Sequence, residues 1–300
     1  MKYITSENFH IEEPTAVCIG KFEGLHLGHR SLIEGLKIHG DPTLLLAFQM
    51  ENRHGLFTDA ERRQIAAELG VDIMVAYPFS EDLRKMSPEE FVQQILVSRC
   101  QAAFIAVGED FRFGYKRRGT AELLQSYGEK SGFAVSILPK KTYGNEVISS
   151  SRIKTAILEG NCEEAKEMLG FPYFFSGRVV WGNQIGRTLE MPTANLFVPE
   201  RKLIPPFGVY ASITEIDGKA YPGVTNIGKK PTIKEYQEIG VETFLFDFDK
   251  DIYGKEIRVK LYRFLRPEQK FSGLDELKKN MFQDKENARS VFCLLYTSDA

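Results

Sequence analysis

The chain has 300 residues, 43% of them hydrophobic, and at roughly 150 residues per domain this length predicts two domains with separate cores. Its 39 Lys and Arg residues against 41 Asp and Glu residues give a formal net charge of -2, which excludes the basic surplus typical of proteins that bind nucleic acid or anionic membranes. No apolar run approaches the roughly 18 residues of a membrane span and the acidic N-terminus does not resemble a signal peptide, so we expect a cytoplasmic protein.

Residues 15 to 139 alternate short apolar runs with helical patterns. The apolar runs have the length and aliphatic content of buried strands: Thr15–Ile19, Thr43–Phe48, Asp72–Tyr77, Ala102–Val107 and Ala134–Leu138. Capping boxes of Thr58 with Glu61 and of Ser87 with Glu90 predict where two of the intervening helices begin. This alternation predicts an α/β domain with a Rossmann-like parallel sheet, whose ligands bind beyond the carboxyl ends of the strands.

A glycine-rich segment leaves the first of these strands and enters a helix. It reads Ile19-Gly20-Lys21-Phe22-Glu23-Gly24-Leu25-His26-Leu27-Gly28-His29. Glycines let a phosphate approach the backbone, and a helix N-terminus offers it unpaired N–H groups. His26 and His29 are three residues apart on one side of the helix start, where both can donate hydrogen bonds to phosphate oxygens. The segment predicts adenylyl transfer, in which an incoming phosphate attacks the α-phosphorus of Mg-ATP and pyrophosphate leaves.

Two later segments fall at the same rim of the predicted sheet. They are Val107-Gly108-Glu109-Asp110-Phe111-Arg112-Phe113-Gly114, after the fourth strand, and Ile148-Ser149-Ser150-Ser151-Arg152-Ile153-Lys154, at a helix start. A serine run alone more often caps its helix than binds a ligand. In combination with the first segment, it offers donors for a triphosphate, with Arg152 and Lys154 as countercharges.

The pattern changes near residue 170. Helical patterns over Arg152–Leu158 and Glu163–Leu169 end at Gly170, and Pro172 follows, which predicts a domain boundary there. Beyond it come six strand patterns at short spacing: Phe174–Trp181, Thr193–Val198, Val209–Ile216, Lys219–Val224, Val241–Phe248 and Glu256–Phe264.

These six strands predict a compact antiparallel β-barrel. Asp217–Gly218 is a hairpin turn signal, and an amphipathic helix is predicted over Leu274–Met281. The predicted domains are therefore 1–170 and 171–290, and the tail 291–300 has no predicted role. Four widely spaced cysteines without a C-x-x-C pair predict reduced thiols rather than a zinc site or disulfides.

The barrel half contains residues suited to a second nucleotide reaction, although the chain has no P-loop motif. The Gly182–Arg187 segment is a loop that can cover phosphates. A hydroxyl from Thr193 and an amide oxygen from Asn195 are hard ligands suited to Mg²⁺ on ATP. Glu242, at the start of an apolar strand, can act as a general base toward an attacking hydroxyl, although its position alone also fits an ordinary outward-facing strand residue.

Both halves resemble the prokaryotic bifunctional riboflavin kinase/FAD synthetase family. The first half is similar to the family motifs G-x-F-D-G-V-H-x-G-H, G-x-D-F-x-F-G and S-S-T-x-I-R. The second half follows the riboflavin kinase domain in order and spacing over Gly177 to Asn195, Gly208-Val209-Tyr210, Asn226-Ile227-Gly228, Val241-Glu242 and Arg266 to Phe271. The resemblance extends over nearly the whole chain.

The resemblance implies a transferase whose barrel phosphorylates riboflavin to FMN with ATP and whose parallel-sheet domain adenylylates FMN to FAD. It implies Glu242, His26 and His29 as catalytic residues, and Thr193 and Asn195 as Mg²⁺ ligands. The implied nucleotide and flavin positions are Gly20, Phe22, Gly24, Gly28, Gly108, Asp110, Phe111, Phe113, Ser149, Ser150, Ser151, Arg152, Gly182, Gly186, Arg187, Pro192 and Arg266. We expect a monomer or weak homo-oligomer whose partners are riboflavin, FMN and ATP, with no nucleic acid or membrane partner.

Five features depart from the family pattern. Glu23 stands where the family usually has Asp, Ser151 where it has Thr, Lys154 where it has Arg, and Glu190 where it has Gly. Phe48–Asn52 replaces F-x-P-H-P and lacks its His. This last departure leaves open a riboflavin kinase with weak or lost adenylyltransferase activity. A non-catalytic flavin- or nucleotide-binding protein is a further alternative, whereas the near-neutral charge argues against transfer-RNA aminoacylation, which uses a similar histidine motif.

Overall fold

A computed structural model of the protein describes residues 1–49, 54–181, 192–229 and 239–297. The chain divides into two compact units, Met1–Ser150 and Ser151–Ala300. This division falls earlier in the chain than the boundary predicted near residue 170. The helix Cys162–Leu169 packs against the strand Glu256–Pro267, which places it with the second unit.

The first unit is an α/β structure. Its strands are β1 (Lys2–Ile4), β2 (Thr15–Gly20), β3 (Thr43–Gln49), β4 (Ile73–Pro78), β5 (Ala102–Gly108), β6 (Arg112–Phe113), β7 (Gly119–Thr120), β8 (Ala134–Leu138), β9 (Thr142–Tyr143) and β10 (Glu146–Val147). Its helices are α1 (Leu27–Lys37), α2 (Asp59–Glu68), α3 (Glu81–Lys85), α4 (Pro88–Glu90, continuing as a π-helix over Phe91–Val97) and α5 (Ala121–Ser131). A single 3₁₀ turn covers Tyr115–Arg117.

The main sheet is parallel, with strand order β1-β4-β3-β2-β5-β8. Its central strands are buried on both faces, as expected where helices cover a parallel sheet. The chain leaves β2 toward β3 and β4 on one side and later returns to β5 on the other. The carboxyl ends of β2 and β5 therefore border the crevice where ligands of such sheets bind.

The predicted helix starts of the first unit are confirmed. Thr58 and Ser87 both form capping boxes with the glutamates three residues later. After Ser87 the structure differs from an ordinary α-helix, because backbone N–H groups at the end of the element bond five residues back, as in Ser98 to Gln93. The wider turn puts four side chains on the buried face: Phe91, Val92, Ile95 and Leu96.

The described part of the second unit contains an antiparallel barrel and three helices. Its strands are β11 (Phe174–Arg178), β12 (Thr193–Phe197), β13 (Gly208–Ile216), β14 (Lys219–Lys229), β15 (Ile239–Leu245) and β16 (Glu256–Pro267). Its helices are α6 (Ser150–Leu158), α7 (Cys162–Leu169) and α8 (Leu274–Thr297). Strand order is β11-β16-β13-β14-β15-β12. A bridge between Val180 and Asn195 joins the two outer strands, so the sheet nearly closes on itself.

The predicted hairpin turn is confirmed. Asp217 and Gly218 both have positive φ, of 49° and 75°, which suits the two-residue turn between β13 and β14. Inside the barrel the hydroxyl of Thr225 bonds those of Ser212 at 2.7 Å and Thr243 at 2.8 Å, so these three buried hydroxyls are hydrogen-bonded to one another.

Helix α8 is longer than the sequence predicted. The prediction ended at Met281, whereas the helix runs to Thr297. Ala288, Val291 and Phe292 are buried and pack against the outer face of the barrel, at the spacing of one helical face. Residues 291–297, for which the sequence predicted no role, therefore belong to this packed helix. No helix in the described ranges is long and apolar enough to cross a membrane.

Candidate active sites

The loop between β2 and α1 is held in an unusual backbone conformation. Phe22 and Leu25 have positive φ, of 47° and 46°, and both are fully buried. Such non-glycine residues in the left-handed region mark strained, often functional, loops. His26 then starts α1 in an extended conformation, and its side chain makes no capping hydrogen bond. The first-turn N–H groups of α1 therefore receive no hydrogen bond from the His26 side chain, and such groups can bind an anion.

His26 and His29 lie face to face at the start of α1. Their ring centroids are 3.8 Å apart with an interplanar angle of 22°. Each Nδ1 is buried without a hydrogen-bond partner. Burial lowers the pKa of His26 to about 4, and burial together with neighbouring His26 lowers the pKa of His29 well below its usual value. Both imidazoles are therefore neutral at pH 7, and each keeps one N–H to donate.

The glycines and the phenylalanine of this loop shape the histidine pair. Phe22 meets the His29 ring edge-on at 5.1 Å. A Cβ on Gly28 would lie 3.2 Å from Cε1 of His26, and one on Gly20 would touch the Phe22 ring at 3.5 Å. Phe22, one of the predicted nucleotide and flavin positions, is 0% exposed and supports the His29 ring. Gly24 is also buried.

The segment after β5 borders the same crevice. The Phe111 N–H bonds the carbonyl of Gly108 at 2.9 Å, which turns the chain at the end of the strand. The carboxylate of Asp110 is exposed and forms an ion pair with Lys140 at 3.0 Å. Lys140 follows β8, so this pair links two neighbouring carboxyl ends of the sheet. Phe113 is buried, whereas Phe111 is partly exposed.

Five phenylalanines form a connected cluster at this edge, which we call the aromatic cluster: Phe48, Phe79, Phe91, Phe111 and Phe113. Successive ring centroids lie 5.6 to 6.4 Å apart. Phe79 is 38% exposed, so the cluster reaches the surface. The sequence motif identified Phe111 and Phe113, but the other three come from β3, the end of β4 and the π-helix, and only the fold joins them.

The remaining predicted adenylyltransferase residues lie around the division between the units. Ser149 and Ser150 end the first unit, and Ser151 and Arg152 begin the second. Arg152, predicted as a countercharge for phosphate, forms an ion pair with Glu164 of α7 at 2.8 Å. Of the divergent segment at positions 48–52, only Phe48 and Gln49 lie within the described residues.

In the barrel unit, Thr193 and Asn195 lie at a cleft of about 510 Å³ that we call the large cleft. Its wall also includes Pro192 and the segment 248–253. Asn195 is 4% exposed, and its Nδ2 donates to the carbonyl oxygen of Thr193 at 3.2 Å, which orients the amide. Trp181 stacks on Tyr253 of this wall, with ring centroids 3.8 Å apart. The predicted loop residues Gly182, Gly186 and Arg187, and Glu190, lie outside the described residues.

Glu242 lies in a second cleft of about 270 Å³, the small cleft. It stands directly opposite Asn195 on β12 and Asn226 on β14, and the row continues through Val209 to Arg266. Directly paired residues project from the same face of a sheet, here the outer face that α8 covers. Glu242 does point outward, as the simpler interpretation expected, but into a cleft.

Among the described residues, Thr193 is the one that lines both clefts, so the two clefts meet there. The small cleft also has apolar walls from Phe244 and Phe271. Arg266, one of the predicted nucleotide and flavin positions, lines this cleft and is paired with Asp284 of α8 through two hydrogen bonds. Asp284 was not found by sequence reasoning, since nothing local distinguishes it from other helix carboxylates.

Comparisons with known proteins match each half of the chain to a protein family. The family model of FAD synthetase matches residues 8–152, and that of riboflavin kinase matches residues 169–292. The bifunctional riboflavin kinase/FMN adenylyltransferase of Listeria monocytogenes is 36% identical over 293 residues, 93% of each chain. The enzyme of the same name from Escherichia coli K12 is 36% identical over 298 residues, 94% of each chain.

A solved structure shares the whole fold. It comes from Streptococcus pneumoniae and is described as a macrolide-efflux protein. It is 30% identical, with a TM-score of 0.85, and the match covers 96% of this chain and 99% of that one. Both units of the present chain therefore occur together in an experimentally determined structure.

Proposed function

The chain belongs to the bifunctional riboflavin kinase/FMN adenylyltransferase family, and we propose that each of its two units carries the site of one reaction. It phosphorylates riboflavin to FMN with ATP and adenylylates FMN to FAD. Both family models match, and the named relatives are bifunctional, which favours two activities over a kinase alone. What remains to be assigned is where each reaction takes place.

We place riboflavin phosphorylation at the junction of the two barrel clefts. The observation that carries this assignment is Thr193, which lines both the large cleft and the small cleft. With ATP in the large cleft, its terminal phosphate lies near Thr193, and riboflavin fills the small cleft with its 5′-hydroxyl toward Glu242. Glu242 accepts the hydroxyl proton, the oxygen bonds the γ-phosphorus, and the bond to the β-phosphate oxygen breaks to release ADP.

The donor atoms at this junction fit Mg²⁺. Thr193 supplies a hydroxyl oxygen and Asn195 an amide oxygen, and both are hard ligands suited to Mg²⁺. The hydrogen bond from Nδ2 of Asn195 to the carbonyl oxygen of Thr193 orients the amide. Mg²⁺ bound with ATP neutralises charge on the transferred phosphate. Chelation of Mg²⁺ is expected to stop both reactions, and added Mg²⁺ to restore them.

We place FMN adenylylation at the histidine pair. The anionic FMN phosphate attacks the α-phosphorus of ATP, and the bond to the pyrophosphate oxygen breaks. His26, His29 and the open N–H groups of α1 stabilise the negative charge that grows on pyrophosphate. The aromatic cluster lies at the same sheet edge and offers a face on which the flavin ring of FMN can stack.

The assignment is tested by chromatography of the flavins made from riboflavin and Mg-ATP. The wild-type chain is expected to make FMN and then FAD. Glu242→Gln is expected to lower FMN formation by about 10²- to 10⁴-fold while supplied FMN is still converted to FAD. The double variant His26→Ala/His29→Ala is expected to lower the conversion of FMN to FAD while riboflavin is still phosphorylated to FMN. If either change removed both activities from a folded protein, separate sites would be the wrong assignment.

We also propose that the protein works in a reducing compartment, the cytoplasm. Cys18, Cys100 and Cys162 are free thiols buried in the two units. Burial raises the pKa of each thiol, which keeps all three protonated and unreactive. Free thiols of this kind are typical of proteins that do not pass through an oxidising environment.

A further inference from the structure

Helix α8 forms one wall of the small cleft and contributes a buried carboxylate to it. Asp284 is 4% exposed. Its Oδ1 accepts a hydrogen bond from Nε of Arg266 at 2.8 Å, and its Oδ2 accepts one from Nη2 at 2.7 Å. Two parallel charge-assisted bonds of this kind restrict both distance and orientation. The pair thus joins α8 to β16 at the edge of the cleft.

The remaining contacts of Arg266 complete its restraint. Its Nη1 donates to the carbonyl oxygen of Pro267 at 3.1 Å, and its guanidinium lies 5.7 Å from the centre of the Phe271 ring. All three guanidinium nitrogens are therefore engaged away from Glu242. This is notable because Glu242 lines the same cleft and projects from the same row of the sheet as Arg266.

We infer that Asp284 is a positioning residue for riboflavin phosphorylation, which rests on the proposed placement of riboflavin in the small cleft. Asp284 fixes the separation of α8 from the sheet, and it holds the Arg266 guanidinium at the edge of the cleft. Riboflavin then enters a cleft of set width, and the guanidinium does not pair with the carboxylate that accepts the proton.

Asp284→Asn is the most informative variant, because it keeps the shape of the side chain and removes its charge. Arg266 keeps its positive charge and loses its partner, in a cleft that also contains the carboxylates of Glu242 and Glu268. Occupation of the cleft by the guanidinium competes with riboflavin. We expect the KM for riboflavin to rise about tenfold. The KM for ATP is expected to change less than about twofold, because the large cleft has a different wall apart from Thr193.

A matched control exists on the same helix. Asp247 pairs with Arg289 of α8 at 4.0 Å but lines neither cleft. Asp247→Asn makes the same chemical change in an ion pair between α8 and the barrel, and Asn tolerates the positive φ of 53° at this position. It is expected to leave both KM values unchanged.

The test is the steady-state kinetics of FMN formation by the full chain, which give kcat and the KM values for riboflavin and ATP. Arg266→Lys is measured in parallel, because lysine keeps the charge but cannot form the two parallel bonds, and it is expected to raise the riboflavin KM in the same direction. Asp284→Glu restores the charge and is expected to recover part of the wild-type KM. Circular dichroism melting establishes that each variant is folded. If Asp284→Asn does not fold, Arg266→Lys and Asp284→Glu carry the test.

A rise in the KM for riboflavin alone supports the inference. It is overturned if the folded variants lose only kcat, or if both KM values rise together, since either result describes general loosening of the barrel. Unchanged kinetics in Asp284→Asn and Arg266→Lys also overturn it. Failure of the wild-type chain to make FMN would instead refute the proposed kinase site, so the two failures are distinct.

Discussion

Substitution of Gly28 by alanine separates the stability of α1 from the placement of its histidines. Gly28 is the second residue of the helix, and its backbone is not in the positive-φ region, so alanine adds no backbone strain. A helical alanine is favoured over glycine by up to about 1 kcal/mol. The new Cβ, however, would lie 3.2 Å from Cε1 and 3.3 Å from Nδ1 of His26, which requires movement of a few tenths of an ångström.

The buried His26 ring has little room for that movement, since it already stacks on His29 at 3.8 Å. A misplacement of about 1 Å can cost about 100-fold in rate, so a shift of a few tenths is expected to lower FAD formation by about tenfold. Gly35→Ala is the control, because it adds the same methyl group to α1 at an ordinary 3.4 Å contact with Leu138.

The assay is the rate of FAD formation from supplied FMN and Mg-ATP, together with the urea midpoint of the first unit. Gly28→Ala is expected to keep or raise the urea midpoint while the rate of FAD formation falls. Gly35→Ala is expected to leave the rate of FAD formation unchanged. Riboflavin phosphorylation should be unaffected in both. A Gly28→Ala protein that makes FAD at the wild-type rate would refute the argument that FAD formation depends on the position of the His26 ring beside Gly28.

Three further changes test other parts of the structure. Burial lowers the pKa of His26 to about 4, so between pH 6.5 and pH 4 this histidine is protonated in the unfolded chain and neutral in the folded chain. The free energy of unfolding of the first unit is expected to fall by roughly 3 kcal/mol as pH decreases across this window, as urea midpoints would show, and His26→Gln should flatten the slope. Gly114→Ala would place a Cβ 2.7 Å from the Pro88 nitrogen at a φ of 70°, and is expected to destabilise the first unit by about 1–3 kcal/mol in urea and to reduce FAD formation but not FMN formation. Thr225→Val removes the hydroxyl that bonds Thr243 and a neighbouring serine inside the barrel, so the urea midpoint of kinase activity should fall by an amount equivalent to about 1–3 kcal/mol.

Local sequence signals predicted much of the fold because they depend on neighbouring residues. The capping boxes at Thr58 and Ser87 and the hairpin turn at Asp217 are decided within four residues, and all three are confirmed. The π-helix over Phe91–Val97 was missed, because its apolar spacing also fits an α-helix. The length of α8 was missed because its last apolar residues reveal a helical face only once the barrel is there to cover them.

In the candidate sites, too, residues placed by local sequence were predicted, whereas contacts that depend on tertiary packing were not. His26 and His29 were predicted as a pair because one helix turn brings them together, and their rings do stack. Asp284 was not predicted, because its partner Arg266 lies on a strand and the contact depends on how α8 packs. Away from the clefts, the burial of Lys202 was also not predicted, since lysine is rarely buried. It is 1% exposed, with its ammonium 4.8 Å from the centre of the Tyr173 ring.

The two proposed sites differ in composition because their acceptors differ in charge. Riboflavin presents a neutral hydroxyl, which must lose a proton to attack, so the barrel site needs a base such as Glu242. FMN presents a phosphate that is already anionic, so the first unit needs hydrogen-bond donors and no base. Buried, neutral His26 and His29 suit that requirement, and the nearby carboxylate of Asp110 is paired with Lys140. It follows that exchanging the chemistry of the sites, with a carboxylate at His29 or an imidazole at Glu242, should abolish the local reaction without creating the other.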